Sequence, residues 1–317
     1  MPAERRRHAL VIHPGALGDV LQAVPALRAL GRGARVAFCG QPRLGELLAG
    51  AGVVEEALSF DSFGLDALFT GEPAPGALTD RLGRFDLIVS WFGARDERYP
   101  ARLRALAPSS VVAPPVPEGP GIAVWQHLQG TLGPSCPSGP EDRAPLPLPE
   151  HWRARARQAL DALGARADLL VVHPGAGGRW KASPPETLAR AISRVTRGAN
   201  VEVLLHQGPA DREATERLAG LLDPPPRRLV DPALPLLAGV LSLAKAYLGG
   251  DSGVSHLAAA VGAPAVVLYP AATRGRWAPW SATARALVRD ADVEPDVAER
   301  AAQALSAVIP GMRAGAA

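Results

Sequence analysis

Val11-Ile12-His13-Pro14-Gly15-Ala16 returns, one residue altered, as Val171-Val172-His173-Pro174-Gly175-Ala176. Each copy closes a short apolar run, Ala9–Ile12 and Leu169–Val172. Each leads into a helical pattern, Asp19–Leu30 in the first half and Pro185–Arg194 in the second. A strand buried on both faces is apolar throughout, and one that turns through Pro-Gly into a helix opens a parallel sheet. Two such openings predict two doubly wound α/β domains. The other apolar runs fit this plan. They are Arg35–Phe38, Val53–Phe60 and Leu87–Trp91, then Val201–Leu205, Arg228–Val230, Ala246–Leu248 and Ala265–Tyr269. Helical patterns such as Asp211–Leu222 and Leu236–Ala244 lie between them.

The border between the halves is legible. Gly133–Pro149 holds many prolines and few large apolar residues, the composition of a linker. We therefore expect an N-terminal Rossmann-like domain over 1–140, a linker and leading helix over 141–164, and a C-terminal Rossmann-like domain over 165–317. The leading helix reads as His151–Leu163. The tail Val293–Ile309 reads as a helix of the kind that packs back on the first domain.

Composition narrows the class. Of 317 residues, 47% are hydrophobic and 21% charged, as in ordinary globular proteins, and the net charge of +3 is too weak to argue for nucleic acid. Cys39 and Cys136 form no metal or redox pattern, which suits a reduced, cytoplasmic setting. The charged start, Met1–His8, lacks the apolar segment and cleavage site of a signal peptide. Arg5, Arg6 and Arg7 read either as a solvated tail or as a peripheral contact with anionic lipid of the inner membrane. The apolar stretch Leu257–Ala272 is broken by Gly262, Pro264 and Pro270 and does not read as a spanning helix. Metal-dependent and serine-hydrolase signatures are absent, and no cofactor or metal is expected. Almost every basic residue is Arg, and Lys occurs only at 181 and 245.

The residues able to do chemistry gather in glycine-rich turns. Gly249-Gly250-Asp251-Ser252-Gly253-Val254-Ser255-His256 follows an apolar run and enters a helix of small residues. Free N–H groups and a positive dipole end make such a turn a ready seat for a diphosphate. Ser252, Gly253 and Val254 supply the N–H groups, and His256 is placed to donate a hydrogen bond. Asp251 is suited to orient a lysine or to bind a sugar hydroxyl rather than to touch phosphate. In Gly175-Ala176-Gly177-Gly178-Arg179-Trp180-Lys181 the glycines Gly175 and Gly177 leave backbone exposed, and Lys181 offers a point cation. The matching loop of the first half, Pro14–Asp19, ends instead on a carboxylate. Asp19 reads as a general base kept ionised by its helix, or as an ordinary helix-capping residue. Asp211 reads as a ribose contact or a helix-terminal charge, and Leu234 lies where a base would be met. Arg274 and Arg276, with Trp277, are candidates for a cleft. Lys245 reads as a surface residue within a helix.

These motifs resemble glycosyltransferase family 9, the heptosyltransferase family of lipopolysaccharide core assembly. The resemblance lies in Gly15–Leu21 with Pro25–Leu30, in His173-Pro174-Gly175 with Lys181–Glu186, and in Asp251–Ala259. It departs at Ser183, where an aromatic is usual, and at Tyr269–Thr273, where Gly-Pro-Thr-Asp is usual. The resemblance implies a GT-B architecture, two Rossmann-like domains facing a central cleft. It implies an inverting, metal-independent glycosyltransferase that moves a heptose-like sugar from a nucleoside-diphosphate sugar, ADP-heptose, to a lipopolysaccharide-core or other envelope glycan or glycolipid. Under it Asp19 is the catalytic base, Lys181 the phosphate lysine and Asp251–His256 the donor turn. A non-catalytic sugar-nucleotide-binding protein and a sugar-nucleotide epimerase of the same architecture are the alternatives. The expected place is the cytoplasm or the cytoplasmic face of the inner membrane.

Overall fold

A computed structural model describes residues 6–134, 136–165, 168–290 and 296–309. The chain divides into two units, Met1–Arg143 and Ala144–Ala317, each built on its own parallel sheet. In the first unit the strands are β1 (Arg7–Ile12), β2 (Ala34–Gly40), β3 (Glu56–Ser59), β4 (Leu87–Ser90) and β5 (Ser110–Val112). They lie in the order β3-β2-β1-β4-β5. Ala9, Leu10, Val11 and Ile12 are fully buried because β1 is flanked on both edges and covered on both faces. Of these, Leu10, Val11 and Ile12 each stabilise the fold by about 1.5–3 kcal/mol.

The second unit holds β6 (Leu169–His173), β7 (Glu202–Gln207), β8 (Arg227–Val230), β9 (Ala246–Gly250), β10 (Ala265–Tyr269) and β11 (Ala284–Val288). Their order is β11-β10-β9-β6-β7-β8, the doubly wound arrangement of a dinucleotide-type sheet. Helix Pro185–Gly198 shows how sequence period becomes packing. Leu188, Ala191, Ile192 and Val195 recur on one face and enter the core, and Pro185 sits in the first turn, where its missing N–H is harmless.

Several expectations change. The pattern Asp19–Leu30 is two helices, Leu17–Gln22 and Val24–Gly31. Pro25 cannot donate to a carbonyl one turn back, so it stands near the start of a new helix. Strand Val53–Phe60 shrinks to Glu56–Ser59, and β5 and β11 were not foreseen. Both are edge strands, which need no continuous apolar run. Lys245 is not within a helix. The helix Leu234–Leu243 ends before it, and Lys245 sits beside β9 with its Nζ 3.2 Å from Asp168 Oδ1.

The C-terminal helix, Val297–Val308, packs on helix Pro185–Gly198 and on β9–β11 of its own unit, burying Ala301 and Leu305. Residues 293–295 of the expected tail lie outside the described residues. Arg5 also lies outside them, whereas Arg6 is no solvated tail. Its guanidinium donates to Gly31 O and meets Glu55 Oε1 at 3.3 Å. Arg7 already belongs to β1. Part of the expected linker is folded: Asp142 is buried and accepts from Gln129 Nε2 at 3.1 Å and from Gly139 N at 2.8 Å. Among the described residues no helix is long and apolar enough to cross a membrane.

Candidate functional site

In a doubly wound sheet the chain leaves its first strand to one side and returns on the other, so loops diverge there and open a crevice at the carboxyl ends. That place falls between β1 and β4 in the first unit and between β6 and β9 in the second. The turns singled out in the sequence occupy both.

In the first unit β1 runs into His13 and the glycine loop, and Asp19 stands at the third position of helix Leu17–Gln22. Its Oδ2 accepts from Ala16 N at 3.0 Å, so the carboxylate is turned back over the loop and the helix start. By sequence His13 reads as a turn residue rather than a catalyst. This residue is buried, accepts from Gly15 N at 3.4 Å through Nδ1, and lies edge-on to Trp91 at 5.8 Å. Burial pushes its pKa down to about 4, against a backbone contact from Asp19. Gly15 makes this packing possible. A Cβ there would lie 2.7 Å from His13 Cε1 and 2.9 Å from Asp19 Cβ.

In the second unit the donor-type turn is fixed by a hydroxyl network. Ser255 Oγ is 2.6 Å from Gly250 O, to which only a donor can bond. Having one hydrogen, it must then accept from Tyr247 OH at 2.9 Å and from Ser252 Oγ at 3.2 Å. Burial raises the pKa of Tyr247 and keeps its hydroxyl a donor. Gly249 lets Tyr247 reach across, since a Cβ there would sit 2.2 Å from the hydroxyl. Ser252 caps helix Gly253–Ala260 by accepting from Ser255 N at 3.3 Å. The N–H groups of Gly253 and Val254, first in the helix, have no backbone acceptor among the described residues and face out of the helix end.

Lys181 and Asp251 are brought together from distant parts of the chain. Nζ lies 3.2 Å from Asp251 Oδ2, an ion contact without hydrogen-bond geometry. Gly177 N donates to Asp251 O at 3.3 Å, which ties the glycine loop to the turn. His256 is buried on the same helix. Burial pushes its pKa down to about 4, Asp251 opposing and Lys181 adding to the shift, so the ring is neutral at physiological pH. A neutral imidazole still carries one N–H to donate.

The weaker candidates separate. Asp211 makes no side-chain cap to its helix. Its Oδ2 accepts from Gly208 N at 3.2 Å and lies 3.9 Å from His173 Nε2. His173 in turn meets His206, Nδ1 to Nδ1, at 3.0 Å. Gly175 is required beneath this group, because a Cβ there would fall 2.1 Å from Asp211 Oδ1. Leu234 is half-buried at the start of the helix after β8. Arg274 Nε donates to Ala286 O at 3.0 Å and ties its helix to β11, while Arg276 is half-buried in the last turn. Among the described residues no group of three or more His, Cys, Asp or Glu is arranged to hold a metal ion.

The chain is similar to known proteins in family and in fold. The family model for glycosyltransferase family 9 (heptosyltransferase) matches residues 140–304. Lipopolysaccharide heptosyltransferase 3 of Escherichia coli is 29% identical over 137 residues, 42% of this chain and 40% of that protein. The same-named protein of strain K12 is 28% identical, over 38% of its length, so the chain spans about two fifths of the curated relatives it matches. A glycosyltransferase family 9 structure from Veillonella parvula superposes with a TM-score of 0.75, at 16% identity, over 98% of both chains. The Escherichia coli ADP-heptose lipopolysaccharide heptosyltransferase II gives 0.70, at 18% identity, over 95% of this chain and 98% of that one. An Escherichia coli heptosyltransferase solved with ADP gives 0.65, at 18% identity, over 95% and 99%. At such identities the likeness establishes the fold, that of the two Rossmann-like domains of the GT-B architecture.

Proposed function

Because the chain belongs to glycosyltransferase family 9, we propose that it is an inverting glycosyltransferase moving a heptose-like sugar from a nucleoside-diphosphate sugar, ADP-heptose, to a hydroxyl of a lipopolysaccharide-core or other envelope glycan. The observation that carries this reading is the gathering of Lys181, Asp251 and the open N–H groups of Gly253 and Val254 at the crevice of the second sheet. The ammonium of Lys181 and the two N–H groups are of one electrical sense and suit a diphosphate, while the Asp251 carboxylate holds the lysine beside them.

The chemistry follows from charge. Asp19 takes the proton of an acceptor hydroxyl, and the oxygen attacks the anomeric carbon from the face opposite the leaving group. The bond from that carbon to the diphosphate oxygen breaks, and the configuration inverts. The charge developing on the leaving diphosphate is met by Lys181, by the helix start at Ser252–Val254 and by the N–H of neutral His256. Groups already ordered before the reaction need no reorganisation during it, and each can be worth several kcal/mol. The curated relatives act on lipopolysaccharide by name. With a glycolipid acceptor the reaction takes place at the cytoplasmic face of the inner membrane. Co-sedimentation of the chain with anionic vesicles tests that contact, and recovery only in the supernatant refutes it.

Two variants test the roles. Asp19→Ala should bind the donor normally and lose transfer by about 10²–10⁴-fold, the usual worth of a general base. Lys181→Ala should bind nucleoside diphosphate about 10–100-fold more weakly, as expected for losing a charged hydrogen bond. Acceptor-dependent release of nucleoside diphosphate and donor titration are the readouts. Transfer by Asp19→Ala at the wild-type rate defeats the base assignment.

A further inference from the structure

A lysine that serves a diphosphate must be ordered without being neutralised. Its four-carbon stem has many rotamers, and a tight carboxylate partner would cancel the charge it offers. The surroundings of Lys181 order it, and the one carboxylate beside it, Asp251, makes an ion contact at 3.2 Å without hydrogen-bond geometry. Its Nζ lies 5.5 Å from the ring centre of Trp180 and 5.8 Å from that of Trp277, both within the reach of a cation–π contact. Asp251 forms the third side, and the lysine side chain is 21% exposed. An aromatic face attracts the ammonium but accepts none of its N–H bonds in the way a carboxylate does. N–H groups are left for an anion.

The backbones that carry the two indoles are anchored through Tyr269 and Arg289. Tyr269, last in β10, donates its hydroxyl to Trp277 O at 3.1 Å, and its backbone carbonyl accepts from Arg289 N at 2.9 Å. Arg289 then donates through Nη2 to Trp180 O. Burial raises the pKa of Tyr269, which keeps its hydroxyl a donor. Packing into the core does not account for Trp180, which is 59% exposed.

We propose that Trp180 and Trp277 are positioning residues, the two aromatic walls of a cage that holds the Lys181 ammonium ready for the donor's diphosphate. The inference rests on the donor-site reading of Lys181 given above. It extends that reading to residues that make no hydrogen bond to the ligand through their side chains.

The test uses the full chain and calorimetric titration. ADP, UDP, GDP and CDP are compared on wild type, and the tightest is carried forward together with its monophosphate. Trp180→Leu and Trp277→Leu should each weaken the diphosphate about three- to tenfold, the worth of one partly desolvated cation–π contact. The monophosphate, lacking the group that Lys181 meets, should change less than about twofold. Trp→Phe at either position keeps a ring face and should restore most of the loss, which a purely structural role would not require. Trp180 is exposed, so its variants carry the test if Trp277→Leu does not fold. Leu variants that bind the diphosphate as wild type does, or that weaken both nucleotides equally, overturn the cage alone. Lys181→Ala with unchanged diphosphate affinity overturns the donor-site reading and the cage with it. So does a wild type that binds none of the four nucleotides.

Discussion

Replacing Ser255 by alanine removes one oxygen and strands three partners. Gly250 O loses its donor at 2.6 Å, Tyr247 OH its acceptor at 2.9 Å and Ser252 Oγ its acceptor at 3.2 Å, all in the buried hinge between β9 and the helix Gly253–Ala260. A buried polar group left unsatisfied costs about 1–3 kcal/mol. The two shorter contacts alone put the loss at about 2–6 kcal/mol, or roughly 5–20 °C in Tm for a unit of this size. The proposed diphosphate seat begins at Ser252, three residues before Ser255, so nucleoside diphosphate affinity should fall as well. Urea unfolding followed by fluorescence measures the first effect, and titration of ADP and UDP the second. A double-mutant cycle sharpens the reasoning. In Tyr247→Phe/Ser255→Ala both hydroxyls are gone, and the Gly250 carbonyl and the Ser252 hydroxyl alone stay unpaired. The double variant should therefore lose less than the sum of the single losses. A Ser255→Ala protein within about 0.5 kcal/mol of wild type, the range of an ordinary surface change, refutes the network. So does strict additivity in the cycle.

Gly15→Ala should cut turnover strongly while leaving donor affinity unchanged. Its Cβ would press on His13 Cε1 at 2.7 Å and on Asp19 Cβ at 2.9 Å, moving the proposed base. Wild-type turnover by Gly15→Ala contradicts that packing. Acid should weaken the fold between pH 6.5 and 4. The imidazoles of His13 and His256 are held down to about 4 by burial, so over that window the unfolded chain binds protons that the folded chain excludes. Each contributes a loss of about 1.4 kcal/mol per pH unit there, and none at higher pH. Melting curves from pH 7.5 to 4.5 that are flat across that window would contradict it.

Much of the molecule was legible in order along the chain, because the relevant chemistry is local. A βα turn needs glycine where the backbone is crowded or a ligand comes close. It also needs a run of apolar residues before it and a helix period after it. Those three signals stand side by side in Val11–Asp19, in Val171–Lys181 and in Ala246–His256. The turns named from them lie at the carboxyl ends of β1, β6 and β9. The edge strands β5 and β11 escaped notice because a strand with one neighbour can mix polar and apolar residues. Ser110-Val111-Val112 and Ala284-Arg285-Ala286-Leu287-Val288 carry no continuous pattern.

Sequence by itself determined that this chain forms two parallel sheets, which turns open toward their crevices, and which of those turns carries a carboxylate and which a lysine. It could do so because strand, turn and helix preferences act over a few neighbouring residues. Only the tertiary structure decided that Lys181 faces Asp251 between Trp180 and Trp277, that Tyr247 reaches over Gly249 to Ser255, and that His13 folds beneath Gly15 beside Asp19. It also decided that the last helix lies on its own unit. These are contacts of side chains whose separation in sequence says nothing of their separation in space. They are set by strand order and register, which no short stretch of residues contains.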